Sequence, residues 1–244
     1  MERISKFMWK FKCGIFYLLV WISNRLFGKE IIHRSRLARW VNQRWLAVVK
    51  MLSPAYRRQA RFERENPDAP WLVPAAIAYI EQELRPEFIG FEWGSGRSTI
   101  WFARRVRHIT SVEGRRSWFD EVARWLAKGA LAERVTLRLA EVTSEHNFSP
   151  MEIERYAGVI DSMVDGSLDF IVVDGHFREA CLRRVATKLR PGGLLIVDNT
   201  DVLPATLLDT LRTVDSRTWN NGISETTVIR NIQAGPKATQ LCVT

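Results

Sequence analysis

Three cysteines in 244 residues, Cys13, Cys181 and Cys242, are too scattered for a disulfide framework, and none has the partner spacing of a zinc site. Reduced thiols and a cytoplasmic setting follow. The uncharged apolar stretch "CGIFYLLVWI" at 13–22 is ten residues long. A membrane-crossing helix needs about 20. The "SNRLFGKE" that follows it has no small-x-small cleavage site, which argues against a secretory leader. No segment repeats with a period of roughly 20–50 residues, so solenoid and propeller architectures are excluded. Acidic residues are scarce at the start: residues 1–64 hold 15 Lys and Arg against 3 Asp and Glu, and the remainder 21 against 24. The net charge of +9 is therefore an N-terminal property.

What is present divides near residue 66. Residues 1–66 read as a basic helical extension. Within it Arg3, Lys6, Lys10 and Lys12 precede the short apolar stretch, and Leu37, Trp40, Val41, Trp45, Val48 and Leu52 recur at helical spacing over 35–59, with Pro54 ending that helix or starting another. Four readings of residues 1–30 stay open, a signal peptide and a spanning anchor among them. In the other two the residues form a helix packed on the following domain, or one lying peripherally on an anionic membrane surface, at its inner face, with Trp9, Phe16 and Trp21 dipped in. An apolar stretch inside a basic arm is out of place in a phosphate-binding tail, so nucleic acid is not the expected partner.

Residues 67–244 carry the pattern of a parallel sheet. After the connector "ENPDAP" and the helical "WLVPAAIAYIEQEL", strands and helices alternate. Strands are expected at "EFIGFE", "HITSVE", "VTLRLAE", "LDFIVVDG" and "LLIVDNT", with helices over 98–107, 117–128 and 177–189, and a turn at "RPGG". A helix over 204–214 and two extended runs joined by Asn-Asn-Gly close the pattern, which makes the last strand pair an antiparallel hairpin.

In such sheets ligands sit beyond the carboxyl ends of the strands. "FEWGSGRSTI" at 91–100 is one of these ends, and Gly94 and Gly96 let a backbone approach a ligand closely. A pyrophosphate-binding fingerprint wants a third glycine where Thr99 stands, and the Glu92 carboxylate is a poor neighbour for phosphate. It suits a ligand with a cationic end, such as the ammonium of S-adenosylmethionine. Glu113 ends the second strand, placed for ribose hydroxyls, and Glu141 the third, placed for an adenine amino group. Asp174 ends the fourth strand and Asp198-Asn199 the fifth, a set of hard oxygens that suits Mg²⁺. His176 offers an alternative, a general base, and a third reading makes His176 an ordinary first-turn helix residue capped by Asp174.

Through "FEWGSGRS", "SVEG", "FIVVDG", "LRPGGLLIVDN" and the closing hairpin, about residues 70–232 resemble the class I S-adenosylmethionine-dependent methyltransferases. The resemblance implies an α/β, Rossmann-like seven-stranded sheet of order 3-2-1-4-5-7-6. It sets Glu92, Gly94, Ser95 and Gly96 beside the methionine part of S-adenosyl-L-methionine, Glu113 at the ribose and Glu141 at the adenine. Asp174 and Asp198-Asn199 are similar to the cation ligands of the metal-dependent catechol and caffeoyl-coenzyme A O-methyltransferases, from which "VDGHFRE" departs after the first Asp. O-methylation of a small-molecule or lipid-linked acceptor is the implied activity. The alternative is an NAD(P)-dependent oxidoreductase or a nucleotide-binding module without chemistry. Glu92 and the terminal hairpin favour the former.

Overall fold

The computed structural model describes residues 53–143, 148–204, 206–207 and 215–230. The readings made of residues 1–52 and most of the helix expected over 204–214 lie outside the described residues. Among the described residues, no helix is long and apolar enough to cross a membrane.

Met1–Glu65 and Asn66–Thr244 are two separate compact units. In the first, Pro54 opens a helix, α1 (Pro54–Glu65), as its fixed φ and missing N–H favour at a first helical turn. In the second, α2 (Pro74–Glu83) precedes an alternating series. β1 (Ile89–Trp93), α3 (Arg97–Ala103), β2 (His108–Glu113), α4 (Arg116–Lys128) and β3 (Val135–Leu139) form its first half. α5 (Pro150–Ala157), β4 (Leu168–Val173), α6 (Arg178–Leu182), α7 (Val185–Lys188), β5 (Leu189–Asp198), β6 (Ser216–Asn220) and β7 (Glu225–Arg230) complete it.

The seven strands make one sheet of order β3-β2-β1-β4-β5-β7-β6, as the sequence resemblance implies. β1 to β5 pair in parallel, and β7 is antiparallel to both β5 and β6. The central strands are covered on both faces and so read as continuous apolar runs. Phe91, Trp93, Ile171, Val173, Leu195 and Val197 are fully buried in one core cluster together with Tyr156. The hairpin turn is held by its asparagines: Asn220 Oδ1 accepts from the Gly222 N–H and Asn221 Oδ1 from those of Ile223 and Ser224.

Three local expectations are corrected. The helix expected over 98–107 stops at Ala103, because the chain turns to bury Val106 and to donate the Arg107 N–H to the Phe88 carbonyl. The helix expected over 177–189 is two short pieces, with Leu189 already paired to Leu168 as the first residue of β5. "RPGG" is accordingly not a turn before the strand but an irregularity inside it. The pairing jumps from Leu168/Leu189 to Phe170/Leu194, with Gly192 at φ +77°.

Candidate active site

The ends of β1 and β4 meet back to back. The Trp93 carbonyl accepts from both the Asp174 and Gly175 N–H groups, at 3.0 and 2.8 Å. Gly94 lies at φ +95°, and a Cβ there would stand 2.6 Å from the Gly175 nitrogen. A Cβ on Gly175 would stand 2.0 Å from the Tyr156 hydroxyl. Both positions thus require glycine, one by conformation and contact, the other by contact alone.

Gly96 is different in kind. Its φ of 166° is ordinary extended backbone, and a Cβ there would meet only the Trp118 indole, at 3.7 and 3.8 Å. The bareness of this position is not needed by the chain's own packing.

Between these glycines and the sheet lies Glu92, fully buried. Its Oε2 accepts from the Thr99 hydroxyl at 2.6 Å and from the Ser111 hydroxyl at 2.7 Å, while Oε1 is enclosed and makes no hydrogen bond of good geometry, the Ser98 hydroxyl being the further hydrogen-bonding group that acts on the carboxyl. Burial pushes the carboxyl up to about 7, against the opposing pull of the surrounding hydroxyls. Thr99 also accepts from the Gly96 N–H at 2.9 Å. Its hydroxyl therefore ties the glycine turn to the acid, a role a third glycine could not perform.

Glu113 ends β2 beside this turn and is almost fully buried. One oxygen accepts from the Ser95 hydroxyl at 2.8 Å, the other from the backbone N–H groups of Gly114 and Arg115 at 2.9 and 2.8 Å. The Trp118 indole donates to the Ser95 carbonyl at 2.8 Å and braces the turn from the far side. Glu92, Gly94, Ser95, Gly96 and Glu113 are thus one connected constellation. Glu141 stands apart, two residues beyond the end of β3, with its half-exposed carboxylate facing Arg116 at 3.8 Å.

If a ligand's hydroxyls displace Ser95 from Glu113, the two side chains will respond differently to truncation. Glu113→Ala is expected to weaken S-adenosylhomocysteine binding by about 1–3 kcal/mol, through lost charge-assisted hydrogen bonds. Ser95→Ala, which removes only the competing partner, should not weaken it. Calorimetry on the two variants checks both, and a loss in Ser95→Ala as large as in Glu113→Ala would sink the exchange.

On the other side of the glycine pair, Asp174 is paired with Arg178, whose Nη2 donates to its Oδ1 at 2.9 Å and to its carbonyl at 2.6 Å. Burial raises the Asp174 carboxyl from its ordinary value and Arg178 opposes the rise. Asp198 accepts from the Thr226 hydroxyl at 2.6 Å and is pushed up to about 7, first by burial and then by the Asp174 charge. Asn199 sits at φ +52° and opens the short 3₁₀ turn Thr200–Val202. This donor set does not fit Mg²⁺. The cation against Asp174 is a guanidinium, and among the described residues no three His, Cys, Asp or Glu side chains are grouped to share an ion.

His176 is half-buried, and desolvation lowers its imidazole from the ordinary value, with Arg115 and Arg178 adding to the effect and Glu113 opposing it. Its backbone N–H donates to the Tyr156 hydroxyl at 3.3 Å. The ring lies against Gly114, where a Cβ would come within 2.8 Å of Cδ2. His176 does not open a helix capped by Asp174: Phe177, at φ +52°, intervenes before α6. Gly175 and Phe177, the chain neighbours of His176, line a cavity of about 400 Å³ together with Ile153, Arg178, Glu179, Ala180 and Leu203; the His176 ring is not part of that lining.

Sequence reasoning missed Arg178, Trp118, Ser111 and Tyr156. Arg178 follows Asp174 by four residues, a spacing that brings opposite charges together on a helical turn. Ser111 sits opposite Glu92 in the β1–β2 register and could have been found once that pairing was assumed. Nothing in the local sequence marks Trp118 or Tyr156 apart from other core aromatics.

Residues 91–200 match the Methyltransf_24 family model, a methyltransferase domain. Over that stretch the chain is similar to a methyltransferase domain, and its sheet order is the one that the resemblance to the class I S-adenosylmethionine-dependent methyltransferases implies. No curated protein matches the sequence. Among solved structures, a methyltransferase-like protein from Silicibacter pomeroyi is 20% identical with a TM-score of 0.52, covering 72% of this chain and 95% of its own. The O-methyltransferase TomG of Streptomyces achromogenes, solved with S-adenosylmethionine, is 20% identical with a TM-score of 0.46, over 73% of this chain and 90% of that one. An S-adenosylmethionine-dependent O-methyltransferase from Thermotoga maritima gives 15% and 0.49, over 68% of each. The first of these shows a shared fold with the methyltransferase domain.

Proposed function

We propose that the protein transfers the methyl group of S-adenosylmethionine to a hydroxyl oxygen of a small-molecule acceptor. One observation carries the choice of nucleotide: a buried acid, Glu92, underlies the glycine turn, and its charge attracts an ammonium where it would repel a pyrophosphate. Glu113, on the neighbouring strand, is within the same constellation and has an oxygen, held here by the Ser95 hydroxyl, that a ribose hydroxyl can take over. When bound, the sulfonium supplies an electrophilic methyl group and a thioether leaving group. Calorimetry with S-adenosylhomocysteine against NAD tests the assignment. Binding of NAD alone would reverse it.

The residues on the β4 side would then handle the acceptor. As its oxygen takes the methyl group, the hydroxyl must lose a proton, and a neutral imidazole is the group suited to receive it. His176 fits because desolvation keeps it neutral at pH 7. The charges of Glu113, Arg115 and Arg178 set the field around it. For a base whose value is lowered, the neutral form persists below pH 6.5, so the acid limb of the kcat profile should fall below 6.5 rather than at it. His176→Ala should reduce kcat by about 10²-fold with S-adenosylhomocysteine affinity unchanged, and a chelator should not alter turnover. Turnover restored by Mg²⁺ after chelation, with His176→Ala as active as the parent, would overturn this assignment of roles.

A further inference from the structure

The cavity beside the β4 end contains a cation that the local structure uses only in part. Arg178 is largely buried, at 18% side-chain exposure, and one nitrogen, Nη2, makes both of its contacts with Asp174. Its Nε is enclosed and has no partner. A guanidinium presents a planar fork of five N–H groups, and a single carboxylate held through one nitrogen leaves most of that fork open. A buried donor without an acceptor is unfavourable, and the group that relieves it best is an anionic oxygen.

The rest of the wall is apolar and partly aromatic. Ile153, Ala180 and Leu203 face the same space as Phe177, whose ring meets that of Phe148 edge-on at 4.8 Å. Phe177 is held toward the cavity by a left-handed backbone turn at φ +52°, a conformation an aromatic residue adopts only where its surroundings impose it. At about 400 Å³ the space suits a compound of one or two rings. The acids nearby do not cancel the cation. Glu179 is exposed at the rim, the Asp174 charge is already paired, and Asp198 shares its carboxyl with the Thr226 hydroxyl.

We propose that this cavity takes a hydroxyaryl carboxylate as methyl acceptor, its ring between Phe177 and the aliphatic wall and its carboxylate on the open side of the Arg178 guanidinium. The inference rests on the methyl-transfer reading above. It makes the acceptor's acid group, rather than a metal ion, the element that orients its hydroxyl toward His176. Arg178 is then a specificity residue, and Asp174 the residue that holds it in place.

The test is calorimetry on the full chain saturated with S-adenosylhomocysteine, using 4-hydroxybenzoate and 4-hydroxyphenylacetate against their methyl esters. At least one acid should bind about ten-fold or more tightly than its ester, a preference that one charge-assisted hydrogen bond supplies. Arg178→Gln should erase the preference and Arg178→Lys retain part of it, with S-adenosylhomocysteine affinity equal in all three proteins as the check on folding. Equal binding of acids and esters, no binding of either acid, or a preference that survives in Arg178→Gln would overturn the inference and leave the methyl-transfer reading standing. Failure of the parent protein to bind S-adenosylhomocysteine would overturn both.

Discussion

Gly96→Val is expected to bind S-adenosylhomocysteine at least about 100-fold more weakly while melting within a few degrees of the parent. The chain itself offers room: the added side chain meets only the Trp118 ring, at ordinary contact distance, and φ is already extended. What it would fill is the space through which a ligand approaches the β1–α3 turn. Gly94→Val is the matched control in the same motif and should behave in the opposite order. There the backbone is left-handed, and a Cβ is driven to within 2.6 Å of backbone on the β4 turn. The loss should be about 4 kcal/mol or more of stability, read by thermal or denaturant unfolding, before binding is considered. If Gly96→Val binds as the parent does, the ligand does not cross this turn. If instead it melts like Gly94→Val, Gly96 is structural too.

Glu92→Gln should yield a more stable protein that binds its ligand less well. The Glu92 carboxyl is raised from 4.5 to about 7, so the folded chain holds a proton that the unfolded chain gives up. Folding is therefore penalised progressively as pH rises from about 4.5 to about 7, and above that the full penalty stands, on the order of 3 kcal/mol. Glutamine keeps the contacts to Thr99 and Ser111 without the buried charge. At pH 8 the variant should melt roughly 5–10 °C above the parent, and at pH 4 the two should coincide. Loss of the carboxylate that meets the ammonium should meanwhile weaken S-adenosylmethionine binding by about 10- to 100-fold. A variant that gains stability and keeps its affinity would leave Glu92 as an unpaired core acid with no ligand role.

The sheet was legible because its signals are local and repeated. Each strand of 89–93, 108–113 and 168–173 is a short apolar run ending in an acid or glycine, and Asn220-Asn221-Gly222 announces the hairpin by turn chemistry alone. Helix lengths were less legible, since the stop at Ala103 and the break between α6 and α7 are set by what the following segment must bury or pair with. The same division runs through the site. Glu92 and Glu113 could be placed by their position at strand ends, but not the Thr99 and Ser111 hydroxyls that surround one or the Ser95 hydroxyl that occupies the other. The Asp174 and Asp198-Asn199 oxygens were read as a cation site because the sequence shows which oxygens are near a strand end and not which charge already answers them. Arg178 answers Asp174 from the next turn of chain.

The shared Trp93 carbonyl has a consequence for how such a protein diversifies. The glycine turn after β1 and the turn after β4 are clasped to one peptide oxygen, with glycine on each side and no side chain between them. Their separation is a property of the backbone, fixed before any ligand arrives. The side chains of the cavity wall, by contrast, come from α5, the 177–180 stretch and Leu203, and the one lining residue that takes part in that clasp, Gly175, has no side chain. On the proposed reading, substitutions there would exchange one acceptor for another without moving the point at which the methyl group is handed over. The chain thus separates what it modifies from where the modification occurs.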